Sequence, residues 1–213
     1  MSDVCPKIIV GAGGHAMVLV NALRESGAEV IGLLERDPDR HGGMVLGVPI
    51  IGGDGVLDRH PADSVELVNG VGSTGKGTRH REVFEHFTER GYRFPTIVHP
   101  SATIASDVVL APGVQVLAGA VVEPGCTIAE NVIVNTLAGV NHNCRLGRHV
   151  HVAPGATLLS DVTVEDDGHV GAGAVVMPGI RLGSRCIVGA GAAVTRDVDA
   201  GTVVGGVPAR RIR

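Results

Sequence analysis

The sequence predicts a small α/β domain followed by a parallel β-helix, and three observations predict it. An apolar strand, a Gly-rich turn and a helix open the chain. From Val98 the chain falls into seventeen six-residue units, ending at residue 199 without an insertion. Aromatic residues make up only 2% of the 213 residues, with no Trp, while Gly contributes 32. A core without rings must be filled by Val, Leu, Ile and Ala, which suits thin, regular layers.

Residues 7 to 35 read strand, turn, helix, strand. "KIIV" is a buried-strand run, "GAGGHA" a tight turn, "MVLVNALRESG" a helix stopped at Gly27, and "EVIGLLE" a second strand ending on Glu35. A third strand is expected at 65–72 ("VELVNGVG") and a helix at 80–91. Gly11, Gly13 and Ala16 satisfy G-x-G-x-x-[GA] with an acidic residue further on, the fingerprint of a dinucleotide site in a Rossmann-like parallel sheet. The match is weak evidence for NAD(P), because any phosphate at a helix N-terminus uses the same backbone N–H groups. A unit of about 95 residues is also short for a complete doubly wound domain. The domains are therefore set at 1–95 and 96–213.

The second domain is read from its period. Every first position of the seventeen hexads is Val, Ile or Leu, and every fifth is Ala, Val, Ile, Cys or Gly. Each hexad forms a short strand and a corner, with positions one and five inward and Pro-Gly or Asp/Asn pairs at the corners. Three hexads make one triangular coil, so residues 18 apart stack on neighbouring coils about 4.8 Å apart. Cys126, Cys144 and Cys186 fall at inward fifth positions and read as small core hydrophobes, with no C-x-x-C spacing to suggest a metal.

His142, His149 and His151 crowd into ten residues. They lie on two successive hexads, hence on two faces, whereas a zinc site needs three or four ligands at one point. No metal is expected. A net charge of −4 gives no general attraction to nucleic acid or to an anionic membrane. No segment has the ~18 apolar residues of a membrane span, and none reads as a signal peptide. A reducing, cytoplasmic location is the expectation.

"GAGGHA", "NGVG", "TIVHPSA", the hexads and the closing "GVPARRIR", in that order, resemble one family along essentially the whole chain. It is the nucleotide-linked amino-sugar N-acetyltransferases of the bacillosamine and perosamine type, among the hexapeptide acyltransferases. The resemblance implies a left-handed coil, although the general preference for right-handed parallel crossovers would give the other hand. It also implies a homotrimer with acetyl-CoA held between subunits and a nucleotide-linked amino sugar on the N-terminal domain. The expected reaction is acetylation of a 4-amino-4,6-dideoxyhexose linked to UDP, GDP or dTDP.

The same resemblance assigns residues. His142 is implied as the general base, a role that suits an imidazole near neutral pH. Asn143 stands where the family carries an acidic residue, and Asp161, stacked one coil above it, is a candidate substitute. The backbone N–H of Ser160, one coil above His142, is implied as the oxyanion donor. His151, Ala172 and Ala190 match contacts to the cofactor, and Arg210, with Arg211 and Arg213, could meet its phosphates. Gly13, Gly14, His15, Glu35 and Gly72 match contacts to the nucleotide sugar, while Arg36 replaces a second acidic residue. His169 stacks on His151, and His149 has no family counterpart. Three alternatives stand beside this reading: an O-acetyltransferase of the sialic-acid type, an NAD(P)-linked oxidoreductase, and a non-enzymatic β-helix scaffold.

Overall fold

The computed structural model describes residues 5–73, 75 and 77–212. The chain divides into two compact units, residues 1–72 with 78–100 and residues 73–77 with 101–213.

In the first unit, β1 (Lys7–Val10), α1 (Gly14–Glu25) and β2 (Val30–Leu34) follow one another, then β3 (Met44–Val45), β4 (Val48–Gly52), β5 (Glu66–Asn69) and α2 (Arg79–Glu89). The sheet order is β3-β4-β2-β1-β5, parallel except for the β3–β4 hairpin. That hairpin is absent from the sequence expectation. It is short, and its Gly47 turn interrupts a run too brief to show a period of two. α1 begins at Gly14, three residues before the expected Met17, because small residues need no apolar period to be helical. Its buried residues Ala16, Leu19, Val20 and Leu23 follow the helical spacing. α2 buries Val83, Phe84 and Phe87 against Ile8, Val10, Leu34 and Leu67.

In the second unit, two-residue strands pair in parallel at a constant offset of 18, as in Val121↔Gly139, Thr127↔Arg145 and His151↔His169. First and fifth positions form one continuous column: Val116, Val122, Val134, Val152, Leu158 and Val170 are 0–1% exposed. Cys126, Cys144 and Cys186 lie in the same column. Burial pushes the Cys144 thiol up to about 12 and that of Cys186 to about 11, so none is poised as a thiolate.

The period fails at both ends. Val98 is 38% exposed rather than inward, and the last strand pairs, Ile187↔Val203 and Leu182↔Val198, are offset by 16. A capping antiparallel strand, Arg210–Arg211, then closes on Val203–Gly205.

The corners explain the composition. Fourth hexad positions adopt left-handed backbone at Gly125, Asn131, Asn143, Gly155, Asp161 and Asp167. At Asn131, Asn143, Gly155, Asp161 and Asp167 the N–H donates to the carbonyl of the third residue one coil earlier, as in Asn143 to Pro124 and Asp161 to His142, both at 3.0 Å, whereas the Gly125 N–H donates to Asp107 Oδ2 at 2.9 Å. Third-position N–H groups have no main-chain partner, so Pro is tolerated there at no cost in hydrogen bonds.

Two glycines separate backbone strain from crowding. A Cβ at Gly155 meets nothing within 4 Å and suffers only its φ of +66°. A Cβ at Gly171 would lie 2.6 Å from both Ala190 N and Val188 O of the next coil. Gly155→Ala should cost about 1–2 kcal/mol in urea unfolding, and Gly171→Ala clearly more. Equal losses would contradict the stacking described here.

Candidate active site

In the first unit the chain runs from β1 to one side of the sheet and returns to the other side with β5. The carboxyl end of β1 is thus a topological switch point, the place where open α/β sheets bind ligands. A cavity of about 280 Å³ opens there. Gly11 to His15 follow β1, Glu35 and Arg36 follow β2, and Gly70 to Gly72 follow β5; Asp54 and Arg79 complete the wall. The structure therefore brings Gly13, Gly14, His15, Glu35 and Gly72 together. Gly13 precedes α1 with no side-chain cap and no acid in the first turn, so the first N–H groups are open to an anion.

The sequence did not single out Asp54, Arg79 or Arg40. Among the described residues, the side chains of Arg36, Asp54 and Arg79 have no hydrogen-bond or ion-pair partner within the protomer. Two free cations beside an open helix N-terminus suit a diphosphate.

In the second unit, His142 and Ser160 occupy one corner column, between the face carrying Gly139–Val140 and the face carrying Arg145–Leu146. His142 is exposed, and its ring has no partner within the protomer among the described residues. The Ser160 N–H one coil above is likewise without a partner. Asn143 does not hold the His142 ring. Its left-handed φ of +61° turns the amide along the column, and Nδ2 donates to Asp161 Oδ1 at 3.2 Å. The Asn143 amide is thus linked to Asp161, the residue stacked one coil above it.

His151, implied by the resemblance as a cofactor contact, is engaged within the chain. Its ring is 6% exposed, with Nδ1 2.6 Å from the carbonyl of Ser73 and Nε2 3.0 Å from Asn135 Nδ2. Asn135 Oδ1 accepts the Thr136 N–H at 2.8 Å, which fixes the amide. Nε2 must then accept, and Nδ1 carries the proton donated to Ser73. The ring clamps the segment at Ser73 and offers no nitrogen to a cofactor. His169 stands edge-on to it, with centroids 5.0 Å apart. The buried Nδ1 of His169 has no partner, and burial lowers its pKa. His149 sits at a left-handed corner, buried, with Nδ1 3.0 Å from Asn131 Nδ2. Among the described residues no three His, Cys, Asp or Glu side chains are placed to hold a metal ion, and no helix is long and apolar enough to cross a membrane.

Ala172 and Ala190 are exposed and stacked on a different corner, before Val175–Val176 and Ala193–Val194. Arg210 and Arg211 line a cavity of about 180 Å³ at the end of the coil with Arg196, which the sequence did not single out. Arg213 lies outside the described residues.

Residues 8–81 match the family described as the PglD N-terminal domain, and residues 161–196 the hexapeptide repeat of succinyl-transferase. The acetyltransferase domain of PglB from Neisseria gonorrhoeae is 31% identical, with a TM-score of 0.90 over 98% of this chain and 100% of that one. It is also known in complex with acetyl coenzyme A. PerB from Caulobacter crescentus, solved with CoA and GDP-perosamine, is 33% identical, with a TM-score of 0.90 over 98% of this chain and 97% of that one. WeeI from Acinetobacter baumannii shares the fold at 23% identity and a TM-score of 0.79, over 97% of this chain and 99% of that one.

His169 gives a pH dependence of stability. Its folded pKa lies below the unfolded value of 6.5, so the folded state binds fewer protons. Its contribution is fully present above pH 6.5 and is lost as pH falls toward the folded value. Urea unfolding should show lower stability at pH 5.5 than at pH 7.5, part of it from this residue. His169→Phe, which keeps a ring but carries no proton, should reduce the loss. An unchanged pH slope would show that His169 titrates alike in both states.

Proposed function

Because the chain belongs to the family of nucleotide-linked amino-sugar N-acetyltransferases built on hexapeptide repeats, we propose how its own residues divide that work. The enzyme is an acyltransferase using acetyl-CoA. Its proposed acceptor is the 4-amino group of a nucleotide-linked 4-amino-4,6-dideoxyhexose, as in the GDP-perosamine of PerB. The cavity after β1, β2 and β5 takes the nucleotide, with its diphosphate on the α1 N-terminus between Arg36 and Arg79. The exposed strip at Ala172 and Ala190 takes the pantetheine arm, and Arg196, Arg210 and Arg211 its phosphates.

The observation that carries the mechanism is the column of His142 beneath the unpaired Ser160 N–H. His142 removes a proton from the amine as nitrogen attacks the thioester carbonyl. The oxyanion accepts the Ser160 N–H, the C–S bond breaks, and His142 returns the proton to the departing thiolate. His142→Ala should lower kcat/KM by roughly 10²–10⁴ with acetyl-CoA affinity nearly unchanged. Near-normal kcat/KM would remove His142 from the mechanism.

We place the thioester and the base on different copies of the chain. Ala172 and Ala190 lie at one edge of a prism face and His142 at the other, roughly 15–20 Å apart for six extended residues. The outward residues of that face are Thr103, Val121, Gly139, Thr157, Val175 and Ala193, small and uncharged, with Val121 and Val175 37–38% exposed. A homotrimer in the cytoplasm follows as the working form. Sedimentation should show three copies at micromolar concentration, and Gly139→Arg should abolish both assembly and turnover. A fully active monomer would overturn the shared site.

A further inference from the structure

Asn69 and His80 are buried polar residues, 1% and 5% exposed, that the proposed mechanism does not use. Asn69 ends β5, paired with Val10 of β1, and His80 lies in the first turn of α2. An aliphatic residue would bury at either place without polar cost, whereas a buried amide or imidazole must be held by partners. Asn69 Nδ2 donates to the His80 carbonyl at 2.8 Å, and Asn69 Oδ1 accepts the Val71 N–H at 3.2 Å. His80 Nδ1 lies 2.6 Å from the Val71 carbonyl, so it carries a proton and donates it. The three bonds close a ring through Asn69, Val71 and His80. Among the described residues no main-chain group serves Val71. Two side chains hold both its N–H and its carbonyl.

Val71 is the middle residue of Gly70–Gly72, one wall of the cavity after β1, β2 and β5. That wall is closely packed. A Cβ at Gly70 would lie 2.5 Å from Ile9 Cγ2 and 3.0 Å from Ala16 Cβ, so the backbone passes tightly between β1 and α1. A Cβ at Gly11, where φ is +105°, would meet Val71 Cγ2 at 3.3 Å. One at Gly72 would meet His15 Cβ at 3.2 Å. A shift of Val71 therefore moves the wall against the Gly-rich turn on both sides.

We infer that Asn69 and His80 are positioning residues for nucleotide binding, and that their bonds to Val71 set the Gly70–Gly72 wall at the width a nucleoside diphosphate needs. Neither side chain lines the cavity, so both act through Val71. The inference rests on the assignment of this cavity to the nucleotide sugar. What the wall requires of His80 is a donated proton, not the volume of a ring.

The test is calorimetric titration of the full chain with UDP, GDP and dTDP, with acetyl-CoA as the control ligand. His80→Phe keeps a ring but leaves the Val71 carbonyl without its donor. It should weaken nucleotide binding roughly 10- to 100-fold, as a displaced positioning group does, with acetyl-CoA affinity unchanged. His80→Asn has less volume but sets an amide N–H near the place of Nδ1, and should bind nucleotide close to the wild-type value. Asn69→Leu should behave as His80→Phe, and the double variant should lose little more, because both act on one residue. A role in packing alone gives the reverse order, with Phe tolerated and Asn not. If His80→Phe does not fold, His80→Asn and Asn69→Leu decide the matter. Wild-type nucleotide affinity in His80→Phe or Asn69→Leu, or a folded His80→Asn that binds 10-fold weaker or worse, overturns the inference. So does an equal loss of acetyl-CoA affinity. A wild type that binds none of the three nucleotides overturns the assignment of the cavity and the inference with it. Nucleotide binding in the expected order, without acetyl transfer to any amino-sugar nucleotide, would sink the proposed function and leave this inference standing.

Discussion

The second unit depends on one hydrogen bond, repeated at most corners of the coil. The fourth residue of a hexad takes left-handed backbone and donates its N–H to the third residue of the coil before it, as Asp161 does to His142 and Gly179 to Ser160. That bond fixes the offset of 18, which sets the column of inward aliphatic residues and stacks third-position residues above one another. It also leaves the third-position N–H without a main-chain partner. At Pro112, Pro124, Pro154 and Pro178 the vacancy is filled by a residue with no N–H to lose. At Ser160 the same position leaves an N–H without a partner, one coil above His142. The proposed oxyanion site is thus a property of the repeat itself, and the residue identity at 160 matters little.

The same bond decides which parts were legible in the sequence. Position one is aliphatic because it faces the column, so the fold, its period and the outward direction of His142 follow from spacing alone. Position four is Gly, Asn or Asp where the left-handed backbone is cheapest. Leu137, His149 and Arg185 depart from that rule, all with φ near +60°. Nothing in the structure explains Leu137, which is 70% exposed. His149 at such a corner is held by Asn131, stacked 18 residues earlier.

What spacing did not show is non-local. His151 occupies an outward sixth position, so its hexad gives no hint of burial. A segment 78 residues earlier in the chain, at Ser73, covers it. Asn135, which fixes its tautomer, reads in the sequence as one more corner polar residue. Arg79 lies in a stretch without period, and its role follows only from the order of strands in the sheet. The hairpin of β3 and β4 intervenes between Arg40 and Asp54, and its pairing with β2 brings Asp54 to the same cavity as Glu35.

The environment of His142 bears on the kind of acceptor it serves. In the left-handed coil of this family the base is implied to have an acidic neighbour, and here Asn143 stands in that place with its amide turned to Asp161. The Asp161 carboxylate is thus bonded to Asn143 and not to the base. A hydroxyl acceptor must lose its proton as it attacks, which demands a strong base at the moment of bond formation. An amine attacks with its own lone pair, and its proton becomes acidic only once the nitrogen has bonded to the thioester carbon. An imidazole without a directly paired carboxylate is enough for that second task. The uncharged corner at Asn143 is therefore compatible with a nitrogen acceptor, the acceptor of the family to which the chain belongs.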